Sequence, residues 1–140
     1  MPFVQIHTSR AVPAEGKRAL GFALATAYAE HMQTSHRIVN VGFVRYDDGD
    51  IARFDAAGDG AREMAVVTCD VRAGRSPEAH EALGRAITAA CARALTLPED
   101  RIAVYITEHP SHHIYRDGGR APEWSPSEAA SGVSSAASVS

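Results

Sequence analysis

The sequence aligns with itself after a shift of about 63 positions, which places Ala19 on Ala82. The identical pairs in this register are Ala19/Ala82, Leu20/Leu83, Gly21/Gly84, Ala23/Ala86, Ala27/Ala90 and Ala29/Ala92. Apolar positions with strand-like alternation follow the same shift, since Val39, Val41 and Phe43 fall on Ile102, Val104 and Ile106. The repeat indicates two copies of one structural unit, so the fold must bury two equivalent faces.

Each copy is predicted to form a strand, a helix and a second strand. Alternating apolar residues predict the strands, and apolar residues spaced by three and four predict the helices. The predicted strands cover 2–8, 38–46, 64–71 and 101–107, and the predicted helices cover 14–32 and 77–95. Two such βαβ units predict an α/β (α+β) fold. Antiparallel pairing of their first strands would give a four-stranded sheet with both helices on one face.

The chain has the length and composition of a single domain, with 140 residues and 45% hydrophobic content. We predict that this domain spans 2–124, with repeat 1 at about 2–46, repeat 2 at about 64–107 and a C-terminal extension at 108–124. From Ser125 onward the sequence is mostly Ser, Ala and Val without periodicity. Such a composition is typical of disorder, which we predict for 125–140.

Charge and composition argue against several classes of function. A formal net charge of -3 and a pI near 6.1 offer no basic stripe for nucleic acid. Cys69 and Cys91 form neither a CxxC motif nor a metal-ligand spacing, which favours reduced thiols in an intracellular protein. We recognise neither a signal peptide nor a long apolar span. We therefore expect a cytoplasmic protein that binds a small molecule and neither nucleic acid nor membrane.

Two short motifs invite a metal interpretation, and both are incomplete. The acidic run 47–50 lacks the glutamate that completes an EF-hand loop. The run 108–113 contains three histidines, but Pro110 interrupts it, whereas zinc needs convergent ligands at defined spacing. We expect neither a metal nor another cofactor.

Pro2 becomes the amino terminus when Met1 is removed, and its secondary amine can then act as base or acid. In the predicted sheet, the strand that starts at Pro2 begins beside the end of strand 64–71, where Arg72 and Arg75 follow. Their cations would lower the pKa of the amine, and their planar guanidinium groups suit a carboxylate. The alternatives are a structural proline at the start of a strand and two solvated arginines beside a turn.

Three parts of the sequence resemble the tautomerase superfamily, and in particular the group of cis-3-chloroacrylic acid dehalogenase. They are Pro2, the run Val71-Arg72-Ala73-Gly74-Arg75-Ser76 and the segment Ala103-Val104-Tyr105-Ile106. Thr34 and His36 before the second strand also match, and the resemblance covers roughly residues 2 to 124. It implies a tautomerase fold of duplicated βαβ units, a catalytic amino-terminal proline and a homotrimer.

The resemblance also implies roles for individual residues. Pro2 matches the catalytic proline, and Arg72 and Arg75 match two arginines that bind the substrate carboxylate. Tyr105 matches a tyrosine that assists the transfer of water or a proton. A structural alternative for Tyr105 is packing from its strand.

Two positions depart from the dehalogenase pattern. Tyr28 stands in place of a helix histidine, and His31 lies nearly one turn later. Tyr28 is either a core aromatic residue or a catalytic one. Arg116, followed by Asp117, stands in place of the glutamate that activates water, and is either a third substrate cation or a surface charge. Loss of that carboxylate argues against hydrolytic dehalogenation, whereas proton transfer needs chiefly Pro2 and a site for an anion.

We therefore expect a tautomerase that acts on a small 2-oxo or unsaturated carboxylic acid, with Pro2 as the catalytic base. A second enzymatic possibility is a hydratase or dehalogenase of 3-haloacrylates, or a related decarboxylase, with protonated Pro2 as the acid. A third is a trimeric interaction protein without catalytic activity. The three possibilities differ in the protonation state and the availability of the Pro2 nitrogen.

Overall fold

The computed structural model describes residues 2–54, 56 and 63–129, which form a four-stranded mixed sheet with two long helices. The first repeat contains β1 (Phe3–Thr8), α1 (Ala14–His31) and β2 (Asn40–Arg45). The second repeat contains β3 (Ala65–Arg72), α2 (Pro77–Leu95) and β4 (Ile102–His109). A short hairpin of β5 (Tyr115–Arg116) and β6 (Gly119–Arg120) follows. The six main elements all begin and end close to their predicted positions.

The strand order of the sheet is β2-β1-β3-β4. Within each repeat the two strands are parallel, and the repeats join through the antiparallel pair β1 and β3. This arrangement confirms the predicted fold, including the pairing about a local two-fold axis. Phe3 lies opposite Asp70, so Pro2 reaches the end of β3 where Arg72 leaves the sheet.

One face of the sheet carries the hydrophobic core. Along β3 the buried side chains alternate with less buried ones, because successive residues of a strand point to opposite faces. The helices cover the buried face with apolar stripes, which are Leu20, Leu24 and Tyr28 on α1 and Leu83, Ile87 and Cys91 on α2. Each fully buried leucine or isoleucine contributes roughly 1.5–3 kcal/mol to stability. No helix in the described chain is long and apolar enough to cross a membrane.

The other face of the sheet, which we call the open face, carries large exposed side chains. Phe3 on β1 is 41% exposed and Tyr105 on β4 is 62% exposed. Their neighbours Val4 and Val104 point to the opposite side and pack in the core. Exposed aromatic residues on a sheet face are typical of a surface that another chain covers.

The turn between β3 and α2 sets the geometry of the candidate site. Ser76 caps α2, since its hydroxyl accepts a hydrogen bond from the amide of Ala79 at 3.2 Å, and Pro77 is the first helical residue. The helix therefore starts two residues after Arg75 and holds the turn that carries it.

The described chain continues beyond residue 124, where we predicted the domain to end. The amide of Glu128 donates a hydrogen bond to the carbonyl of Ser125 at 3.0 Å, which closes a turn. The Glu128 side chain then contacts Thr34 and Arg72. Residues 125–129 of the predicted disordered tail thus have defined contacts, and residues 130–140 lie outside the described residues.

Candidate active site

Arg72 and Arg75 are buried at the junction of β3 and α2. Arg72 is 3% exposed and Arg75 is 8% exposed, although each carries a permanent charge. Gly74 between them has a φ of +129°, a backbone conformation that side-chain-bearing residues rarely adopt. Buried guanidinium groups require hydrogen-bond acceptors or anions around them. The alternative of two solvated arginines is therefore wrong.

Arg75 is fixed by backbone carbonyl groups and by an aromatic ring. Its Nε donates to the carbonyl of Met32 at 2.9 Å, and its Nη1 donates to the carbonyl of Arg72 at 2.9 Å. The guanidinium lies 4.6 Å from the ring centroid of Trp124, whose indole N-H donates to the carbonyl of Gln33. Nη2 of Arg75 is buried and has no hydrogen-bond partner among the described residues.

Arg72 holds the C-terminal segment. Its Nη1 donates to the carbonyl of Pro122 at 2.6 Å, and its Nη2 donates to both carboxylate oxygens of Glu128, at 2.6 and 2.5 Å. The hydroxyl of Thr34 donates to Oε2 of the same carboxylate at 2.7 Å. Nη2 of Arg75 lies 3.9 Å from that oxygen. We call Arg72, Arg75 and Thr34 the carboxylate clamp, because all three face one carboxylate.

The clamp keeps Glu128 ionised. Burial by itself raises the pKa of the Glu128 carboxyl, but the hydrogen bonds from Thr34 and Arg72 and the charges of both arginines outweigh it, so the net pKa lies below its ordinary value. Burial and the neighbouring Arg72 lower the pKa of Arg75. With Glu128 in place, the net charge of the cluster is +1 rather than the +2 of the arginines alone.

Sequence reasoning missed Glu128, because it lies in a segment of serine and alanine whose composition is typical of disorder. One signal was available, since Glu128 is the only charged residue from Ser125 to the C-terminus. Thr34 was recognised through the family resemblance, but its hydrogen-bond partner was not. Trp124, the only tryptophan of the chain, was likewise not singled out.

Pro2 lies beside this cluster. It is buried, and its carbonyl accepts a hydrogen bond from the amide of Asn40 at 3.1 Å. The β1–β3 register sets Pro2 against Val71, which directly precedes Arg72, at the roughly 5 Å separation of paired strands. The predicted proximity of Pro2 to the end of β3 therefore follows from the backbone.

Tyr28 belongs to the core and also adjoins the cluster. It is 1% exposed and packs among the buried residues of the sheet and helices. Burial raises the pKa of its hydroxyl above the ordinary value, and the charges of Arg75 and Arg72 act in the opposite direction. Tyr28 is therefore a core aromatic residue, and a role in the site is compatible with this position because the charges of the arginines act on its hydroxyl.

Tyr105 lies apart from the cluster of the same chain, and Arg116 is not bonded to it among the described residues. Tyr105 lies on the open face, on an edge strand separated from β1 by β3, which puts it roughly 10 Å from Pro2 across the sheet alone. Arg116 lies in the β5–β6 hairpin and makes no hydrogen bond or ion pair with Arg72, Arg75 or Glu128. Its Nε is buried without a hydrogen-bond partner among the described residues.

The histidine run after β4 does not assemble a metal site. Within residues 2–54, 56 and 63–129, no group of three or more His, Cys, Asp or Glu side chains is arranged to hold a metal ion. His109 instead contacts Asp70 at 2.7 Å, and His112 packs edge-on against His113.

Comparisons with known proteins agree with this fold. Residues 66–121 match the family model described as tautomerase enzyme. A member of the cis-3-chloroacrylic acid dehalogenase family, N1, is 29% identical with a TM-score of 0.76, over 86% of this chain and 84% of that one. A fused 4-OT, solved as a symmetric trimer, is 24% identical with a TM-score of 0.75, over 85% and 94% of the two chains. A malonate semialdehyde decarboxylase inhibited by 3-bromopropiolate is 23% identical with a TM-score of 0.66, over 80% and 86%.

No curated protein sequence matches the chain. The duplicated βαβ sheet and the family match nevertheless define the class: residues 66–121 match the tautomerase family, and the sheet has the tautomerase fold. The chain is similar to a member of the cis-3-chloroacrylic acid dehalogenase family, which confirms the resemblance seen in the sequence.

Proposed function

We propose that the chain is a tautomerase of small 2-oxo or unsaturated carboxylic acids, with Pro2 as its catalytic base. The observation that carries this proposal is the clamp, in which Arg72 and Thr34 bind a single carboxylate beside the strand end that holds Pro2. Arg75 faces the same carboxylate with a buried donor that has no partner. A site of this kind binds a carboxylic acid next to a terminal amine.

In this mechanism Met1 is removed and Pro2 is a neutral secondary amine. The amine takes a proton from the enol hydroxyl of the bound acid and returns it to the adjacent carbon, which gives the 2-oxo acid with no net gain or loss of protons. Arg72 and Arg75 hold the carboxylate and stabilise the negative charge that develops on the enolate oxygen. The burial of both arginines strengthens this effect, because charges interact more strongly where water is excluded.

The remaining residues complete the proposed site. The hydroxyl of Tyr28 is proposed to orient the substrate near the arginines. Tyr105 lies away from the cluster of its own chain, and Arg116 forms no hydrogen bond or ion pair with Arg72, Arg75 or Glu128, so we propose that both act in the site of a neighbouring protomer of a homotrimer. One similar structure, a fused 4-OT, is a symmetric trimer, which supports such an assembly. We expect the protein in the cytoplasm.

Hydration or dehalogenation of 3-haloacrylates, or decarboxylation, is the second candidate, and the similarity to dehalogenase and decarboxylase structures favours it. The hydration and dehalogenation reactions require a group that activates water. Glu128 is the carboxylate at the site, but its ion pair with Arg72 and its lowered pKa make it a weak base. This observation favours proton transfer over addition of water.

The test is the ketonisation of enol phenylpyruvate, followed by ultraviolet absorbance with the mature protein. We expect Pro2→Ala to lose at least about a hundredfold in kcat/KM, in line with the usual contribution of a general base. Equal rates for wild type and Pro2→Ala would exclude the amine mechanism. Intact mass spectrometry is the companion measurement, since retention of Met1 would leave only the non-catalytic alternative. Halide release from a 3-haloacrylate would support the second candidate instead.

A further inference from the structure

The Glu128 carboxylate is bound in the way a ligand carboxylate is bound. Nη2 of Arg72 donates to both of its oxygens, at 2.6 and 2.5 Å, and Thr34 adds a third hydrogen bond at 2.7 Å. The Arg72 side chain is only 4% exposed, so these bonds form where water is largely excluded. A carboxylate supplied by the chain therefore fills the clamp.

The fit of Glu128 is incomplete on the side of Arg75. Nη2 of Arg75 lies 3.9 Å from Oε2, beyond hydrogen-bond distance, and has no other partner among the described residues. A buried donor without a partner is costly. A ligand that reaches both arginines would satisfy this donor, whereas Glu128 satisfies only Arg72 and Thr34.

The segment that carries Glu128 lies across the clamp. Pro122 accepts a hydrogen bond from Arg72, and Trp124 stacks on Arg75. Trp124 also borders a cavity of about 350 Å³, whose other walls include Gly74, Pro110, Ser111 and His112.

We infer that Glu128 is an internal substitute for the substrate carboxylate. The two carboxylates compete for the carboxylate clamp that Arg72, Arg75 and Thr34 form. The inference deepens the proposed function, and rests on it for the statement that the clamp holds substrate. A free monocarboxylate binds by replacing Glu128 and gains the unpartnered donor of Arg75. An ester does not bind, because it would leave two buried cations without an anion.

The effect of Glu128 on the Kd of a small carboxylate can be predicted. A carboxylate attached to the chain competes at an effective concentration on the order of millimolar. Its removal by Glu128→Gln, which keeps the shape of the side chain, should lower the Kd of a small carboxylate about tenfold. Glu15→Gln is the control, since Glu15 is exposed in the first turn of α1, at the opposite end of that helix from Met32 and the clamp.

The probe is 3-phenylpropanoate, which has no keto group and cannot tautomerise. Trp124 is the only tryptophan, so its fluorescence reports on the segment directly. We expect saturable quenching or enhancement in the wild type, about tenfold tighter binding in Glu128→Gln, and wild-type affinity in Glu15→Gln. Methyl 3-phenylpropanoate should give no response. Unchanged or weaker binding by Glu128→Gln would overturn the inference.

Kinetics with phenylpyruvate separate this role from a catalytic one. Competition predicts a lower KM with kcat preserved in Glu128→Gln, whereas loss of kcat would assign Glu128 to the chemistry and overturn the inference. Thr34→Val should weaken probe binding in both the wild-type and the Glu128→Gln background. Unchanged probe affinity in both backgrounds would show that Thr34 is not part of the clamp. If Glu128→Gln does not fold, Glu128→Asp keeps the charge, withdraws it by one methylene and should tighten binding to a smaller degree; an unchanged Kd there would contradict the inference.

The two hypotheses fail separately. Tighter binding of 3-phenylpropanoate by Glu128→Gln without phenylpyruvate turnover would support competition for the clamp and exclude the tautomerase function. Turnover that requires Pro2, with no effect of Glu128→Gln on probe affinity, would keep the tautomerase and exclude the competition.

Discussion

Nη2 of Arg72 donates hydrogen bonds to both carboxylate oxygens of Glu128. This contact joins the end of the third strand to a segment that follows the last hairpin, and it makes that segment part of the site. It also changes the electrostatics around Pro2, because an anion offsets one of the two cations. The lowering of the Pro2 pKa expected from two arginines is correspondingly smaller while Glu128 is bound.

The first prediction concerns stability at acid pH. The folded-state pKa of Glu128 is lowered from the ordinary 4.5, so its stabilisation is present above that pH and is lost as the pH falls through the folded pKa. We expect Glu128→Gln to cost about 1–3 kcal/mol in free energy of unfolding at pH 7. Urea unfolding of both proteins from pH 7 to pH 3 checks this. A difference that stays constant over that range would mean that the ion pair is not its source.

The second prediction separates the two arginines. Arg72→Ala removes contacts to Glu128 and Pro122, whereas Arg75→Ala also frees the carbonyl groups of Met32 and Arg72. Both variants should raise KM roughly 10–100-fold through loss of charge-assisted hydrogen bonds. Both variants should also lose stability: about 1–3 kcal/mol for Arg72→Ala through the lost ion pair with Glu128, and about 2–4 kcal/mol for Arg75→Ala, because Arg75 ties the end of α1 to the β3–α2 turn.

Arg85→Ala is the control for both arginine variants, since Arg85 is exposed and pairs with Glu81 on its own helix. It should leave both KM and the unfolding free energy close to wild type. An unfolding free energy of Arg75→Ala equal to that of Arg85→Ala would contradict the structural role assigned to Arg75.

The fold was predictable because its determinants are local and repeated. The alternation of apolar residues along 64–71 and the apolar stripe of α2 indicate which face each element buries. The 63-residue repeat then predicts the same arrangement for the other copy. The antiparallel pairing of the first strands then brings Pro2 to Arg72 without further information. The boundaries of the elements follow from caps such as Ser76.

The details of the site were less predictable because they depend on contacts between distant residues. Thr34 and Glu128 are 94 positions apart, and nothing in their local sequence signals the contact. The composition of the segment around Glu128 favours disorder. In the fold, however, the buried positive charges of Arg72 and Arg75 attract the Glu128 carboxylate and hold this residue in place. Tyr105 matches a family motif, but the motif does not state which chain of an assembly uses it.

The third prediction concerns Gly74, which lies between the two arginines. Its φ of +129° is strained for any other residue, and an added Cβ would lie 3.3 Å from Cε3 of Trp124. Gly74→Ala should lose about 1–3 kcal/mol of stability and weaken carboxylate binding, because the turn and Trp124 must shift. Gly118→Ala is the matched control: its φ of +80° is also unfavourable, but no atom lies within 4 Å of an added Cβ. Equal carboxylate affinity in the two variants would show that the Trp124 contact is unimportant.

The fourth prediction concerns the two cysteines. Burial raises the pKa of Cys91 to about 12, and burial together with the charge of Asp70 raises the pKa of Cys69 to about 12. At pH 8 only about one thiol in ten thousand is then ionised, and thiolate is the reactive form. We expect no alkylation by iodoacetamide over an hour in the native protein and two additions in urea, measured by intact mass. Rapid native labelling would mean that the core around either cysteine opens readily.

The last prediction tests whether Tyr105 serves a neighbouring protomer. Tyr105 is 62% exposed on the open face, whereas Arg72 is 3% exposed at the strand end beside Pro2. If each site takes Arg72 from one protomer and Tyr105 from another, Arg72→Ala and Tyr105→Phe will each be impaired as pure proteins. Equal mixtures refolded together will form sites with both native residues in about a quarter of cases. We expect phenylpyruvate ketonisation to recover to about that fraction of wild type in the mixture, with simple mixing of folded proteins as the control. Recovery no greater than the average of the two pure variants would place Tyr105 outside the site or in the same chain as Arg72.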